Sequence, residues 1–261
     1  MSDIRIGTSG FSYDDWRGYF YPEDIQKGEM LKYYATRFDT VEINSSYYRI
    51  PPPSTFARMS DKTPPGFDFV VKAYKELTHS PDVDMFTFRQ FAESLQPLVD
   101  SGKLGCVLAQ FPWSFRKSEE NASRLLQLRE ELPHLPIVVE FRNFTWVGED
   151  TFELLRQQRL GFCCVDEPRL KGLMPRIAVA TSNIGYVRFH GRNADKWWTH
   201  NEAYERYDYL YSENELQEWL PRIVQLNSDT QTTYTFFNNH YQGKAAQNAL
   251  QFSRMLDMPG I

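Results

Sequence analysis

The strongest constraint on the fold is an eightfold recurrence. Short runs rich in β-branched and aromatic residues begin the series with IRIGTSG (4–10), TVEINSSYY (40–48), DFVVKAY (68–74) and LGCVLAQFP (104–112). PIVVEFRNF (136–144), LGFCCVDEP (160–168), IGYVRFHGR (184–192) and TTYTFFNNH (232–240) complete it. Between most of them lie stretches whose apolar residues repeat every three to four positions, such as FRQFAESLQPLV, EENASRLLQLREEL, DTFELLRQQR, ENELQEWLPRIVQL and KAAQNALQFSRML. The first pattern fits strands and the second amphipathic helices. Strict alternation of the two implies a parallel sheet, because a parallel strand pair needs a crossover that a helix supplies. Eight such units in 261 residues predict a (β/α)8 TIM-type barrel forming one domain over 1–261. A doubly wound open sheet is the alternative, but its first turn would carry G-x-G-x-x-G, and GTSGFSYDDW does not. Two connections are expected to be irregular. After the second run, PPPSTFARMSDKTPPGF is broken by prolines and allows at most a short helix; after the sixth, PRLKGLMPRIAVATSN has no helical period.

Side chains alternate along a strand, so polar residues can be assigned a face. Glu42 and Asn44 oppose Val41 and Ile43; Lys72 opposes Val71; Gln110 opposes Ala109; Glu140 and Arg142 oppose Val139 and Phe141. Asp166 opposes Val165, Arg188 and His190 oppose Val187 and Phe189, and Asn238 is in phase with Phe236. In a barrel the outer face must be apolar to receive helices, so this polar set is expected to point inward at the C-terminal mouth. By the same reading Cys164 shares the inward phase of Asp166 as a small core residue. The structural alternative is a self-satisfied buried ion network.

Five of the tryptophans, Trp16, Trp113, Trp146, Trp197 and Trp198, follow strand runs on the same side. They are expected to stack a ring-shaped ligand, or else to pack loops against their neighbours. The long connection GRNADKWWTHNEAYERYDYLYSENEL, with Arg192 and Lys196 at its start, reads as a lid or binding loop. Gly243, before the last helical stretch, is expected to expose backbone N–H groups to a phosphate.

Charge limits the partners. A net charge of -5 and a pI near 5.6 disfavour a general nucleic-acid binder, leaving a small anionic ligand as the expected partner. The cysteines, Cys106, Cys163 and Cys164, lack zinc-knuckle spacing and an even disulfide count, which favours a reducing compartment. Strand-like sequence starts almost at Met1, and no run approaches the roughly 20 apolar residues of a membrane span, so a cytoplasmic location is expected.

For chemistry, Glu140, Glu42, Asp166 and His190 are the candidate acids and bases, with Arg142 and Arg188 as anion holders. A divalent metal on these carboxylates and His190, with His79 and His240 further out, is considered but not favoured, because no H-x-H or H-E-x-x-H spacing is present.

Several segments resemble the YecE-like family, domain of unknown function 72: IGTSGFSYDDWRGYFYP, FDTVEINSSYYRIP, FVVKAYKELTH, LAQFPWSF, VVEFRNFTW, VRFHGRN and FFNNHYQGKAAQNA. The resemblance covers nearly the whole chain and implies a TIM-type barrel without a particular activity. Its recurrent segments coincide with Gly7, Ser9, Gly10, Glu42, Asn44, Lys72, Gln110, Glu140, Arg142, Arg188, His190, Asn238 and Asn239, which it marks as site residues with unassigned roles.

The expected function is therefore an enzyme, with hydrolysis as the first reaction class, acting on a small anionic ring-containing substrate such as a phosphorylated sugar or nucleotide. Glu140 with Glu42 or Asp166 would move protons. Lys72, Asn44, Gln110, Asn238, Asn239, Ser9, Arg142 and Arg188 would bind the ligand, and Trp146 and Trp197 would stack its ring. A non-catalytic ligand- or nucleic-acid-binding barrel and a metal-dependent phosphoesterase are the alternatives.

Overall fold

The computed structural model describes residues 3–257, Ala203 by its backbone alone; the first two and last four residues of the expected domain lie outside the described residues. All eight strand runs form parallel strands: β1 (Asp3–Thr8), β2 (Thr40–Ile43), β3 (Asp68–Lys72), β4 (Leu104–Gln110), β5 (Ile137–Glu140), β6 (Leu160–Asp166), β7 (Ile184–Phe189) and β8 (Thr232–Phe237). They are ordered β1-β8-β7-β6-β5-β4-β3-β2, a (β/α)8 barrel with its seam between β1 and β2. The seam carries one bridge, Ser9 with Glu42, and a Gly10 N–H bond of 2.7 Å to the Glu42 carbonyl.

Helices pack outside: α1 (Met30–Tyr34), α2 (Pro53–Asp61), α3 (Lys75–His79), α4 (Met85–Asp100), α5 (Glu119–Glu131), α6 (Glu149–Gln157), α7 (Glu213–Gln217), α8 (Leu220–Ser228) and α9 (Lys244–Leu256). Caps fix several starts. The Asp84 side chain accepts the Thr87 N–H of α4, Ser118 accepts the Asn121 N–H of α5, and Ser212 with Glu215 closes a reciprocal box on α7. The expected helix over 213–226 divides into α7 and α8 at Glu218 and Trp219. Pro221, which has no N–H to give, is tolerated only in a first turn and so restarts the helix there. The segment after β2 does form a short helix, α2, with a proline in its first turn, and 167–183 after β6 forms none.

The core lies between the outward faces of the strands and the helices, where Val41, Phe69, Val107, Val139, Phe162, Val187 and Phe237 are buried. Inside the barrel, near its N-terminal end, Arg5 pairs with Asp68 at 3.1 Å and Tyr234 donates to the same carboxylate at 2.6 Å. This polar plug closes the bottom and leaves the C-terminal mouth as the accessible end. Among the described residues no helix is long and apolar enough to cross a membrane.

Candidate active site at the barrel mouth

Alternation along the strands carries Glu42, Glu140, Arg188 and His190 into the barrel axis, where all are essentially inaccessible to solvent. Arg188 bridges the two carboxylates, donating from Nη2 to Glu42 Oε1 at 2.6 Å and from Nη1 to Glu140 Oε2 at 2.5 Å. Tyr186, one layer deeper, donates to Glu42 Oε2 at 2.6 Å. The other Glu140 oxygen lies 2.9 Å from His190 Nε2 and 2.7 Å from Arg142 Nε. Asn238 Nδ2 meets His190 Nδ1 at 3.1 Å. Burial, reinforced by the charge of Arg142, holds His190 well below its ordinary value, so the ring is neutral. With Nδ1 accepting from Asn238, its proton resides on Nε2 and is donated to Glu140. Burial alone would raise the Glu140 carboxyl, but Arg142, Arg188 and His190 together hold it well below the usual carboxylate range.

Above this floor opens a cavity of about 240 Å³ walled by Tyr13, Asn44, Tyr47, Tyr48, Lys72, Gln110, Arg142, Arg188, Tyr207, Asn238 and His240. Lys72 Nζ donates to Gln110 Oε1 at 2.8 Å and sits 4.5 Å from the Tyr47 ring centroid. Burial first, and then the nearby Arg188 charge, lower its pKa to about 7. Arg142 is 12% exposed; beyond Glu140 its nearest carboxylate is Glu167, at 3.6 Å from Nη1. Burial raises Glu167 to about 7 despite Arg142. The Asn44 Oδ1 atom is buried without a hydrogen-bond partner. Tyr13 and His240 stack face to face at 4.9 Å, one wall of the cavity, and the Trp16 indole fixes that wall by donating to the His240 carbonyl at 2.6 Å.

The family model described as "Protein of unknown function DUF72" matches residues 5–260. The chain belongs to the DUF72 family. The UPF0759 protein YunF of Bacillus subtilis (strain 168) is 32% identical over 271 residues, covering 98% of this chain and 95% of YunF. The crystal structure of a DUF72 family protein from Thermotoga maritima MSB8 superposes with a TM-score of 0.91 at 42% identity, covering 98% of this chain and all of that one. A DUF72 family protein from Enterococcus faecalis V583 gives 0.88 at 28% identity, covering 99% and 97% of the two chains.

In this DUF72 barrel most of the residues selected from sequence converge. Glu42, Glu140, Arg188, His190 and Ser9 form the floor, Ser9 Oγ lying 3.3 Å from Arg188 Nη2. Asn44, Lys72, Gln110, Arg142 and Asn238 reach the cavity wall. Five expectations are corrected. Asp166 points outward, held by Arg192 at 2.8 Å, Tyr211 at 2.8 Å and Trp219 at 2.7 Å, with Arg176 at 3.3 Å. Arg176 and Arg192 neutralise the carboxylate on the outer side of β6, so polarity did not report that strand's phase: Cys164, too, faces outward, where its sulfur accepts the Val179 N–H. Asn239 also turns away, donating to the Tyr209 carbonyl and to Asn248 at 2.8 and 2.9 Å. Trp146 is stacked on Phe141 at 4.5 Å and on Phe115 behind β5, while Trp197 packs edge-on behind Tyr207. Finally, the start of α9 is not open to the mouth, because Gly243 packs against Tyr19 and Phe20.

The aromatic wall of the cavity is made instead by Tyr13, Tyr47, Tyr48 and Tyr207, which sequence reasoning passed over. The signal was present in SSYY directly after β2, and in Tyr207 of the long loop that was expected to bind. Arg192 and Lys196 of that loop pair with Asp166 and Glu205. Among the described residues no group of three or more His, Cys, Asp or Glu side chains is gathered as a metal would require.

Proposed function

We propose that this DUF72 protein is an enzyme whose substrate is a compact anion carrying a ring, such as a phosphorylated sugar or a nucleotide, seated at the barrel mouth. The observation that supports this is a surplus of recessed cationic donors. Glu42 and Glu140 are already engaged by Arg188, His190 and Arg142, and Glu167 lies 3.6 Å from Arg142 Nη1, yet the buried Arg142 Nε has no well-aligned hydrogen-bond partner and Lys72 has only a neutral amide acceptor. A phosphate or carboxylate supplies the acceptors both lack, in the planar geometry that guanidinium favours. The cavity, at about 240 Å³, falls below the roughly 300–1,000 Å³ of drug-sized sites, which suits a small substrate. Tyr47, Tyr48 and Tyr207 line the cavity and offer aromatic surface to its ring.

Within this reading the proton chemistry belongs to Lys72. Glu140 has both oxygens occupied and a carboxyl held low, which suits a structural counter-ion, whereas an amine near pH 7 can exchange a proton with substrate at neutral pH. Thermal-shift and calorimetric titrations with inorganic phosphate, glucose 6-phosphate and adenosine monophosphate test the ligand class. At least one probe should bind saturably, and Arg142→Gln should weaken it by about 10-fold or more, the equivalent of one lost charge-assisted hydrogen bond. If no probe binds, or if R142Q binds as tightly as wild type, the reading is wrong. Saturable binding without turnover of any probe would favour the non-catalytic ligand-binding barrel.

A further inference from the structure

Lys72 has no carboxylate within ion-pair distance among the described residues, although charged side chains in such recesses are normally paired. The contrast is Lys103, at the opposite end of the barrel, whose ammonium donates to the carbonyls of Ser60 and Thr63 at 2.6 and 2.8 Å and to Thr63 Oγ1 at 3.0 Å. All three of its protons are satisfied, as a structural lysine requires. Lys72 instead makes one hydrogen bond, 2.8 Å to Gln110 Oε1. That oxygen is aimed at it because the Gln110 amide is tied to the Phe111 carbonyl at 2.8 Å. The other charged side chains lining the cavity are Arg142 and Arg188, both cationic, while Glu140 and Glu42, which also act on the amine, are themselves paired with Arg188. A desolvated lysine beside other cations is the arrangement that frees an amine lone pair at neutral pH.

We propose that Lys72 is the nucleophile of this site, condensing with the aldehyde or ketone carbonyl of an anionic substrate to form an imine. This deepens the substrate-site reading and rests on it. The Nζ lone pair bonds to the carbonyl carbon, the C=O π pair moves to oxygen, and a proton transferred from nitrogen makes that oxygen a hydroxyl. The carbinolamine then expels the hydroxyl with the second amine proton as water, leaving C=N. The sum is amine plus carbonyl giving imine plus water, with no oxidant or reductant. Arg142 holds the anionic group, which places the carbonyl toward Lys72. The reaction class served is bond making or breaking at the carbon next to a carbonyl, because a protonated imine withdraws electrons from that position.

The test is reductive trapping. The whole protein is incubated with pyridoxal 5′-phosphate, a ring-bearing anionic aldehyde, or with pyruvate, a ringless anionic ketone, and sodium cyanoborohydride. Intact mass and peptide mapping follow, with inorganic phosphate titrated in parallel by thermal shift. The expected result is one saturable adduct per chain at Lys72, competed by phosphate and lost in Lys72→Arg, which keeps the cation. Mapping on the wild-type chain keeps the result decisive even if K72R fails to fold. Labelling confined to surface lysines while phosphate still binds overturns the imine and leaves the anion site standing. If neither probe labels Lys72 and phosphate does not bind, both are overturned.

Discussion

Lys72 and Lys103 lie at opposite ends of neighbouring strands, and their surroundings give them different work. Lys103 is saturated by carbonyl and hydroxyl oxygens, whereas Lys72 is held to about 7 by burial and by Arg188. The unfolded chain keeps Lys72 near 10.5, so between about 7 and 10.5 the unfolded state binds the extra proton. This contribution to stability therefore rises with pH across that window, and the full penalty applies below it. Lys72→Met should be more stable than wild type, most clearly at and below neutral pH. Its advantage should shrink as pH rises, by up to about 1.4 kcal/mol per pH unit. Urea denaturation across this window measures it; an advantage independent of pH would mean that the amine titrates normally. Side-chain phase made Lys72, Glu140 and Arg188 legible as inward residues. It could not show that tyrosines rather than tryptophans line the cavity, because both fit after a strand and only packing decides which ring turns inward.

Strand β6 and its connection behave as one element built around Asp166. With no helix over 167–183, that loop brings Arg176 to the outer side of β6, where Arg192 from beyond β7, Tyr211 and Trp219 also meet the carboxylate. Asp166 thus ties β6 to β7 and to the helix pair α7 and α8. Asp166→Asn removes the charge while keeping the shape, and should cost about 3 kcal/mol, the low end for breaking a buried pair. The low end is expected because Glu215 and Glu218 still hold Arg192, at 3.2 and 3.0 Å. Chemical denaturation measures this, and a loss well under 1 kcal/mol would show that the cluster is not a structural tie. The irregularity of this connection was readable from its lack of period. Its consequence for Asp166 was not, since an outward-facing charge makes sense only once the loop that neutralises it is in place.

The molecule as a whole is a barrel with one weak seam, and the closure there relies on a side chain. The Tyr34 hydroxyl from α1 accepts the Thr8 N–H at 2.9 Å and donates to the Thr40 carbonyl at 3.1 Å, standing in for ladder bonds between β1 and β2. Gly7 leaves room for this approach, as a Cβ there would lie 2.4 Å from the Thr40 oxygen. Tyr34→Phe leaves both backbone groups without a partner and should cost about 1–3 kcal/mol. Amide hydrogen exchange should quicken at Thr8 before it does at β4 or β7; unchanged protection at Thr8 would show that the seam closes without the hydroxyl. The seam lies over the site, because the same two strands supply Ser9 and Glu42 to Arg188. From sequence alone came the eight βα units, the barrel they imply, and the inward face of the polar ends of β2, β3, β4, β5, β7 and β8, because these are local periodicities of two and 3.6 residues. Only the tertiary structure decided which of those groups neutralise one another and which remain free for a ligand. Arg188 finds Glu42 from 146 residues away, and such a pairing depends on how the sheet closes rather than on any pattern along the chain.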